Sequence, residues 1–273
     1  MSLSHRTIDP TRFNDVLSRY DAQIQETSDS KQKRKTTDNN DTLAVLDEWR
    51  LNILPQVMKE RRDGKGGDNL KKLEVEKLIR WKLMHGTFRP SLMKLVSSNE
   101  ESKIEDVTGR AFEVVSLQLD AARQLLSKSI REAILVLTEL RGIGPASASL
   151  LLGVRFPKQV PFFSDEAYRW LTAASGNHWT VSIKYNAKEY AVMLDSCLCL
   201  AERLRVNAVD IERVGWVLGR EKADLNESTL TATGSNRDST TASGSKRKEE
   251  EAELDIPASS EMPVMRPKRS KRQ

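Results

Sequence analysis

The chain has 273 residues, of which 38% are hydrophobic, and this is enough for one or two domains with a buried core. All five tryptophans lie between residues 41 and 220, and no aromatic residue follows Trp216, so we expect the core in this central region. No stretch approaches the roughly 18 apolar residues of a membrane-spanning helix. The first residues, MSLSHR, lack the apolar run of a signal peptide. We therefore expect an intracellular protein with no membrane association.

The cysteines and histidines indicate neither a disulfide framework nor a zinc site. Two cysteines are too few for a disulfide framework, and three widely separated histidines give no zinc-ligand spacing. We expect no metal and no cofactor. The net charge of +5 permits contact with a polyanion without requiring it.

The first forty residues contain two different patterns. Phe13, Val16 and Tyr20 have helical spacing, which is consistent with a short docked or partner-bound helix. Residues 26–41 read ETSDSKQKRKTTDNND and contain no apolar side chain, so burial cannot offset their ordering entropy. We predict that residues 1–40 are mostly disordered, with one possible short helix.

Apolar residues recur at helical spacing throughout residues 41–220, and no strand-turn-strand alternation is present. Pro90 is suited to the first turn of one of these helices. The predicted helices are residues 43–53, 70–83, 90–96, 107–126, 130–140, 187–204 and 207–218, with a further helix starting at Pro145. The sequence therefore predicts one all-α domain over residues 41–220.

A glycine turn separates two of the predicted helices. The first ends at Leu140, and Gly142, Ile143 and Gly144 allow a tight turn before Pro145 begins the second. Such a helix-hairpin-helix presents backbone N–H groups beside the positive end of a helix, which suits phosphate and ignores base sequence. We expect Gly142, Ile143, Gly144 and Ala146 to contact DNA phosphate.

The residues of this hairpin resemble a known family. The sequence LRGIGPASA, from Leu140 to Ala148, is similar to the hairpin of the helix-hairpin-helix DNA glycosylase superfamily, whose pattern is Leu-x-Gly-(Ile/Val)-Gly-x-x-(Thr/Ser)-Ala. In that family an aspartate near a helix start follows the second helix, an intervening loop and an apolar pair. Here Asp165 lies 21 residues after Gly144, which is within a residue or two of the family spacing.

The resemblance implies an activity and its limits. Asp165 would be the catalytic carboxylate, which stabilises the oxocarbenium-like charge as the glycosidic bond of a flipped nucleotide breaks. Family members that also cut the strand carry a lysine in the second hairpin helix, where this chain has Ala146. Two cysteines also exclude the four-cysteine iron-sulfur cluster of some members. The resemblance thus implies a monofunctional DNA glycosylase.

Other interpretations of the same residues remain open. Ser164 could be an N-cap, with Asp165 and Glu166 only complementing a helix dipole. The hairpin could be an ordinary connection between helices with a glycine C-cap. Gly142-x-Gly144 also matches part of a dinucleotide-binding fingerprint, but Ser147 occupies the place of the third glycine.

A second segment combines aromatic and basic side chains. The sequence WKLMHGTFRPSL, from Trp81 to Leu92, resembles a segment that an uncharacterised eukaryotic family pairs with the same hairpin. Trp81, His85 and Arg89 are candidates for a groove or pocket that binds nucleic acid. The alternative is an amphipathic helix with a solvated basic face and with Trp81 and Phe88 in the core.

Residues 221–273 are rich in serine, threonine, glycine and charge, which predicts a disordered tail. Lys246 to Lys248 and Arg266 to Arg272 resemble a two-part nuclear localisation signal. We therefore expect a nuclear protein whose tails could bind protein partners.

Three functions are consistent with these patterns. The first is a DNA-binding protein resembling a monofunctional glycosylase that acts in base excision repair. The second is a catalytically inactive helix-hairpin-helix scaffold, and the third is a protein-interaction domain. A pocket beside Asp165 that could hold a base would favour the first, and an absence of basic residues around the hairpin would favour the third.

Overall fold

Apolar periodicity and helix-capping residues together set the secondary structure. The computed structural model describes residues 2–32, 41–173 and 178–222, and within these ranges it contains helices and no β-strand. The α-helices are α1 (Pro10–Ser18), α2 (Tyr20–Gln32), α3 (Leu43–Glu48), α4 (Leu54–Asp63), α5 (Lys72–His85), α6 (Pro90–Ser97), α7 (Glu101–Ser116), α8 (Arg123–Leu137), α9 (Pro145–Arg155), α10 (Asp165–Thr172), α11 (Ala187–Leu204) and α12 (Ala208–Glu221). A π-helical turn, Trp49–Ile53, joins α3 to α4, and a short 3-10 helix, His178–Thr180, follows α10. The prediction of an all-α protein is confirmed.

Several helices begin at a polar side chain that accepts a backbone N–H bond. Asp9 caps α1 through Arg12 N, Thr42 caps α3 through Val45 N, and Asn186 caps α11 through Glu189 N. Pro10, Pro90 and Pro145 stand at the first positions of α1, α6 and α9, where the missing N–H costs no helical hydrogen bond. These starts are local in origin, because each depends on residues within one turn of the boundary.

The N-terminal segment is part of the fold. Phe13, Val16 and Tyr20 are completely buried, and Ile24 is 4% exposed. Their helical spacing correctly indicates a docked helix. The prediction that residues 1–40 are mostly disordered is wrong for α1 and α2, because burial against α3 and α12 compensates the polar second half of α2. Residues 33–40 and the tail from 223 to 273 lie outside the described residues.

One predicted helix is two helices. The apolar pattern of residues 107–126 is continuous, but α7 ends at Ser116 and α8 begins at Arg123. The two helices pack against each other, and the guanidinium of Arg110 on α7 bonds the carboxylate of Glu139 just after α8 at 2.6 Å. The prediction fails here because both helices bury a face in the same core, so their periodicity does not mark the chain reversal.

A buried polar network connects the N-terminal helices to the core. Asp47 Oδ1 accepts hydrogen bonds from the Tyr20 hydroxyl at 3.1 Å and from the Trp81 indole N–H at 2.9 Å. The Arg50 guanidinium donates to the same oxygen at 3.1 Å and lies 4.0 Å from the centre of the Trp81 ring. Glu212 of α12 lies 3.9 Å from Arg50 and is fully buried. This network joins α2, α3, α5 and α12 around Arg50, which pairs with both carboxylates.

The second carboxylate of this network makes stability dependent on pH. Burial raises the pKa of Glu212 to about 7, from an ordinary value of 4.5. The stability that protonated Glu212 contributes is fully present below pH 4.5. It is lost as the pH rises through 7, because this carboxyl ionises more easily in the unfolded chain. Replacing Glu212 by glutamine should therefore favour the folded state by roughly 2 to 4 kcal/mol more at pH 8 than at pH 5. Urea denaturation of both proteins at the two pH values measures this difference, and an equal effect at both would contradict it.

Close packing between α10 and α12 fixes the start of α10. A Cβ atom added to Gly215 would lie 2.8 Å from the Ala167 Cα atom, so only glycine permits this approach of the two backbones. Trp170 and Leu171 of α10 are buried behind this contact. The N-terminal turn of α10, which carries Asp165, is thereby held against the body of the domain.

Candidate functional site

The turn between α8 and α9 is held rigidly against α6. Gly142 has a φ of 80°, which favours glycine, and a Cβ atom there would lie 3.0 Å from the Leu95 Cβ atom. Asn99, just after α6, accepts from Arg141 N at 2.8 Å and donates to Arg141 O at 3.0 Å. Asn99 could not be recognised from the sequence, because no local pattern links it to a turn 42 residues away.

The first turn of α9 opens into a cavity. Gly144 is its N-cap, with an extended φ of −103° that any residue adopts, and no atom lies within 4 Å of the position a Cβ would take. Pro145 has no N–H group, and the amides of Ala146 and Ser147 lie in the turn that has no intrahelical acceptors. Gly144, Ala146 and Ser147 all line the cavity. Gly142 is thus needed for its positive φ, whereas Gly144 leaves the space in front of the first turn of α9 open.

A serine links α9 to the segment that precedes Asp165. Ser149 is fully buried, its hydroxyl donates to Ala146 O at 3.0 Å, and it accepts from Phe163 N at 2.9 Å. This bond fixes the distance between the start of α9 and the start of α10. In the sequence Ser149 is only one of several small residues that permit close packing.

Asp165 is the first residue of α10. Its carboxylate contacts one side chain from the loop before α11 and one from the next turn of α10. The Tyr185 hydroxyl donates to Oδ1 at 2.7 Å, and Arg169 Nη2 lies 3.6 Å from Oδ2. Ser164 is the N-cap and accepts from Ala167 N. The interpretation of Ser164 as a cap is therefore correct. The Asp165 side chain is 33% exposed, bonds Tyr185 and lines a cavity.

Tyr185 itself has an unusual backbone. Its φ is 55°, a left-handed conformation that is uncommon for a bulky residue. Burial, together with the nearby Asp165 carboxylate, raises the pKa of Tyr185 to about 12, so its hydroxyl remains a donor at neutral pH. The Arg89 guanidinium lies 5.2 Å from the centre of the Tyr185 ring. Nothing in the sequence indicates that Tyr185 would reach Asp165.

Most of the residues singled out by sequence meet at one cavity of about 490 Å³, here called the Asp165 cavity. Six of them line it: His85, Arg89, Gly142, Gly144, Ala146 and Asp165. Trp81 and Ile143 do not, because both are buried in the core. Trp81 serves instead as a wall behind His85, with ring centres 4.5 Å apart. Phe88, the other aromatic proposed for the core, is 64% exposed.

His85 is a buried, uncharged member of the cavity wall. Its side chain is 4% exposed and packs among Trp81, Phe162 and Trp216. Burial, followed by the charge of Arg50, lowers the pKa of His85 well below its usual range. Nε2 has no hydrogen-bond partner among the described residues. A neutral imidazole therefore lines the cavity, while its unpaired Nε2 atom is itself buried.

The charged lining is predominantly basic. Five cationic side chains contribute to it: Lys31, Lys82, Arg89, Lys184 and Arg220. The acidic side chains are Asp165 and Glu166, and burial raises the pKa of Glu166. The cations come from α2, α5, α12 and two loops. Their clustering depends on the tertiary structure, and only Arg89 and Lys82 were part of a pattern in the sequence.

Within the described ranges, no helix is long and apolar enough to cross a membrane, and no three His, Cys, Asp or Glu side chains are grouped to hold a metal ion. Comparison of the chain with protein-family models, curated proteins and solved structures finds no match. The Asp165 cavity is therefore interpreted from its own geometry.

Proposed function

We propose that this protein binds DNA and releases a base from a flipped nucleotide, as a monofunctional DNA glycosylase does. The observation that carries the proposal is the position of the Asp165 carboxylate in the same cavity as the first turn of α9. The proposed phosphate contact and a carboxylate suited to sugar chemistry thus line the same cavity. The resemblance of Leu140 to Ala148 to the helix-hairpin-helix glycosylases supports the same function.

Phosphate binding is proposed for the glycine turn and α9. The amides of Ala146 and Ser147 meet the positive end of the helix dipole, and Gly144 leaves the approach to them open. The surrounding lysines and arginines add attraction for a polyanion. These contacts position the backbone of DNA without reading its sequence.

The base is proposed to enter the Asp165 cavity. A volume of about 490 Å³ is in the range of small-molecule sites. Phe162, Phe163 and Tyr185 supply aromatic surface on which a base could stack. This lining has the composition expected of a base pocket.

Asp165 is proposed to act on the sugar. Its carboxylate would stabilise positive charge at C1′ as the glycosidic bond breaks, and would orient the attacking water. The bond from the Tyr185 hydroxyl holds one carboxylate oxygen in place. Because the hairpin has Ala146 where the glycosylases that also cut the strand have lysine, the hairpin itself supplies no covalent nucleophile.

A panel of duplexes tests the function. Each would contain one alkylated, deaminated or oxidised base, and the protein should release at least one of them; alkali added at the end of the reaction converts every abasic site into a strand break, so base release is measured in full. A domain that binds DNA but releases no base from any duplex would instead be a scaffold. A domain that neither binds nor cleaves would favour a role in protein interaction.

Replacements at Gly144 test the phosphate contact. Gly144→Ala should retain DNA affinity, because the position is sterically open. Gly144→Asp should lower affinity by about tenfold or more through charge repulsion, while an aspartate at this N-cap preserves or raises stability. Fluorescence anisotropy over a salt series and thermal melting measure the two effects. Equal affinity of the two variants would contradict contact at this turn.

A nuclear location is part of the proposal. Lys246 to Lys248 and Arg266 to Arg272, which lie outside the described residues, have the composition of a two-part localisation signal. Removal of residues 246–273 should move a fluorescent fusion from the nucleus to the cytoplasm. Unchanged nuclear enrichment would overturn this part.

A further inference from the structure

Lys82 is a partly buried lysine whose ammonium has no carboxylate or hydrogen-bond acceptor beside it among the described residues. It lies near the end of α5 and lines the Asp165 cavity. Among the described residues, its ammonium makes no hydrogen bond and no ion pair within 4 Å, whereas Lys71, at the start of the same helix, pairs with Glu105 at 2.8 Å. Buried cations are normally paired, and an unpaired one in a cleft is a candidate functional group.

The surroundings of Lys82 favour its neutral amine. Burial, and after it the Arg89 guanidinium, lower the pKa of Lys82 to about 8, although the Asp165 carboxylate acts in the opposite direction. At pH 7 about one molecule in ten then carries a neutral amine, against about three in ten thousand for an ordinary lysine. A desolvated lysine beside another cation is a known way to prepare an amine for attack on a carbonyl.

We infer that Lys82 is a covalent nucleophile toward the aldehyde of an abasic deoxyribose in the Asp165 cavity, and that the protein thereby cuts the DNA strand. The inference rests on the proposed function, because it requires the sugar of a nucleotide to enter this cavity. It differs from the monofunctional reaction expected from Ala146. That expectation took into account only the absence of a lysine in the hairpin. Lys82 reaches the same cavity from α5.

The reaction is balanced without any redox partner. The Nζ lone pair bonds to C1′ of the open-chain aldehyde, and the carbonyl oxygen takes a proton from the amine. Solvent protonates the resulting hydroxyl, which leaves as water to give a protonated imine between C1′ and Nζ. A C2′ proton passes to the Asp165 carboxylate, and the C3′–O bond breaks with its electron pair on the departing phosphate. Water then hydrolyses the imine and frees Lys82.

Reductive trapping tests the assignment. The full chain would be mixed with a duplex carrying one preformed abasic site and with sodium borohydride, which delivers hydride to the imine carbon. The wild type should form a stable protein–DNA adduct, and peptide mapping should place it on Lys82. Using a preformed abasic site removes any need for base recognition.

Substitutions separate the amine from its charge. Lys82→Arg keeps a cation near the end of α5 but cannot form an imine, so trapping should fall by at least about 100-fold with an unchanged melting temperature. Lys82→Met should behave in the same way. Lys77→Met, on the same helix but outside the cavity lining, should trap like the wild type.

The pH profile gives a readout that a structural lysine would not show. Trapping by the wild type should increase through about pH 8, as the amine loses its proton. Besides Arg89 and Asp165, six ionisable groups share the cavity: Lys31, His85, Glu166, Lys184, Tyr185 and Arg220. Trapping that persists in Lys82→Arg, or maps to another lysine or to the N-terminal amine, overturns the inference.

The two proposals fail in different ways. Release of a damaged base without any borohydride adduct on abasic DNA would overturn the role of Lys82 and leave the glycosylase intact. An adduct on Lys82 without base release from any lesion would support Lys82 and overturn the glycosylase. Strand cleavage at the abasic site without alkali, lost in Lys82→Arg, supports the lyase step.

Discussion

Replacing Asp165 by asparagine should reduce base release by about 10²- to 10³-fold and leave folding and DNA binding intact. The amide oxygen can still accept the bond that the Tyr185 hydroxyl now makes at 2.7 Å, so the shape of the site is preserved. What disappears is the negative charge beside the proposed position of the sugar. A role limited to the helix dipole would instead cost only about 0.3 to 1 kcal/mol of stability.

A neighbouring acid provides the matched control for this prediction. Glu166 lies in the same first turn of α10, at the positive end of the same helix dipole, and burial raises its pKa. Single-turnover base release, DNA affinity and thermal melting would be compared for Asp165→Asn and Glu166→Gln. We expect only Asp165→Asn to lose base release, with its DNA affinity retained or raised. Equal losses in the two variants, or none in Asp165→Asn, would assign Asp165 a structural role.

Removing the N-terminal helices should abolish cooperative folding. A fragment that begins at residue 41 lacks five buried apolar side chains: Ile8, Phe13, Val16, Tyr20 and Ile24. Each contributes roughly 1.5 to 3 kcal/mol by burial, so their sum is comparable with the net stability of about 5 to 15 kcal/mol of a whole domain. The fragment also loses the bond from the Tyr20 hydroxyl to Asp47 and leaves Trp170 Nε1 without its acceptor, Leu3 O.

Thermal and urea denaturation would compare this fragment with the full chain. As a point variant, Phe13→Ala should lower the free energy of unfolding by about 3 to 5 kcal/mol. Deletion of residues 223–273 is the control, because this tail has no aromatic residue and should not change the melting temperature. A cooperative transition of the fragment beginning at residue 41, at the temperature of the full chain, would show that α1 and α2 are dispensable.

Local patterns in the sequence were enough to predict the helices and one part of the site. Apolar periodicity locates most of the helices because each buries one face, and the capping residues and prolines locate several of their starts. The glycine turn and the spacing to Asp165 predicted two groups that line the same cavity. These features lie within the 24 residues from Gly142 to Asp165, and short-range geometry is therefore enough to relate them.

The opposite wall of the cavity depends on contacts between residues far apart in the chain. Tyr185 reaches Asp165 through a left-handed backbone, and Arg220 arrives on α12 because Gly215 lets that helix approach α10. Lys82 looks like one more surface lysine of an amphipathic helix, and its lowered pKa exists only because folding buries it beside Arg89. Desolvation and charge proximity are properties of the packed structure, so no local pattern in the sequence could have shown them.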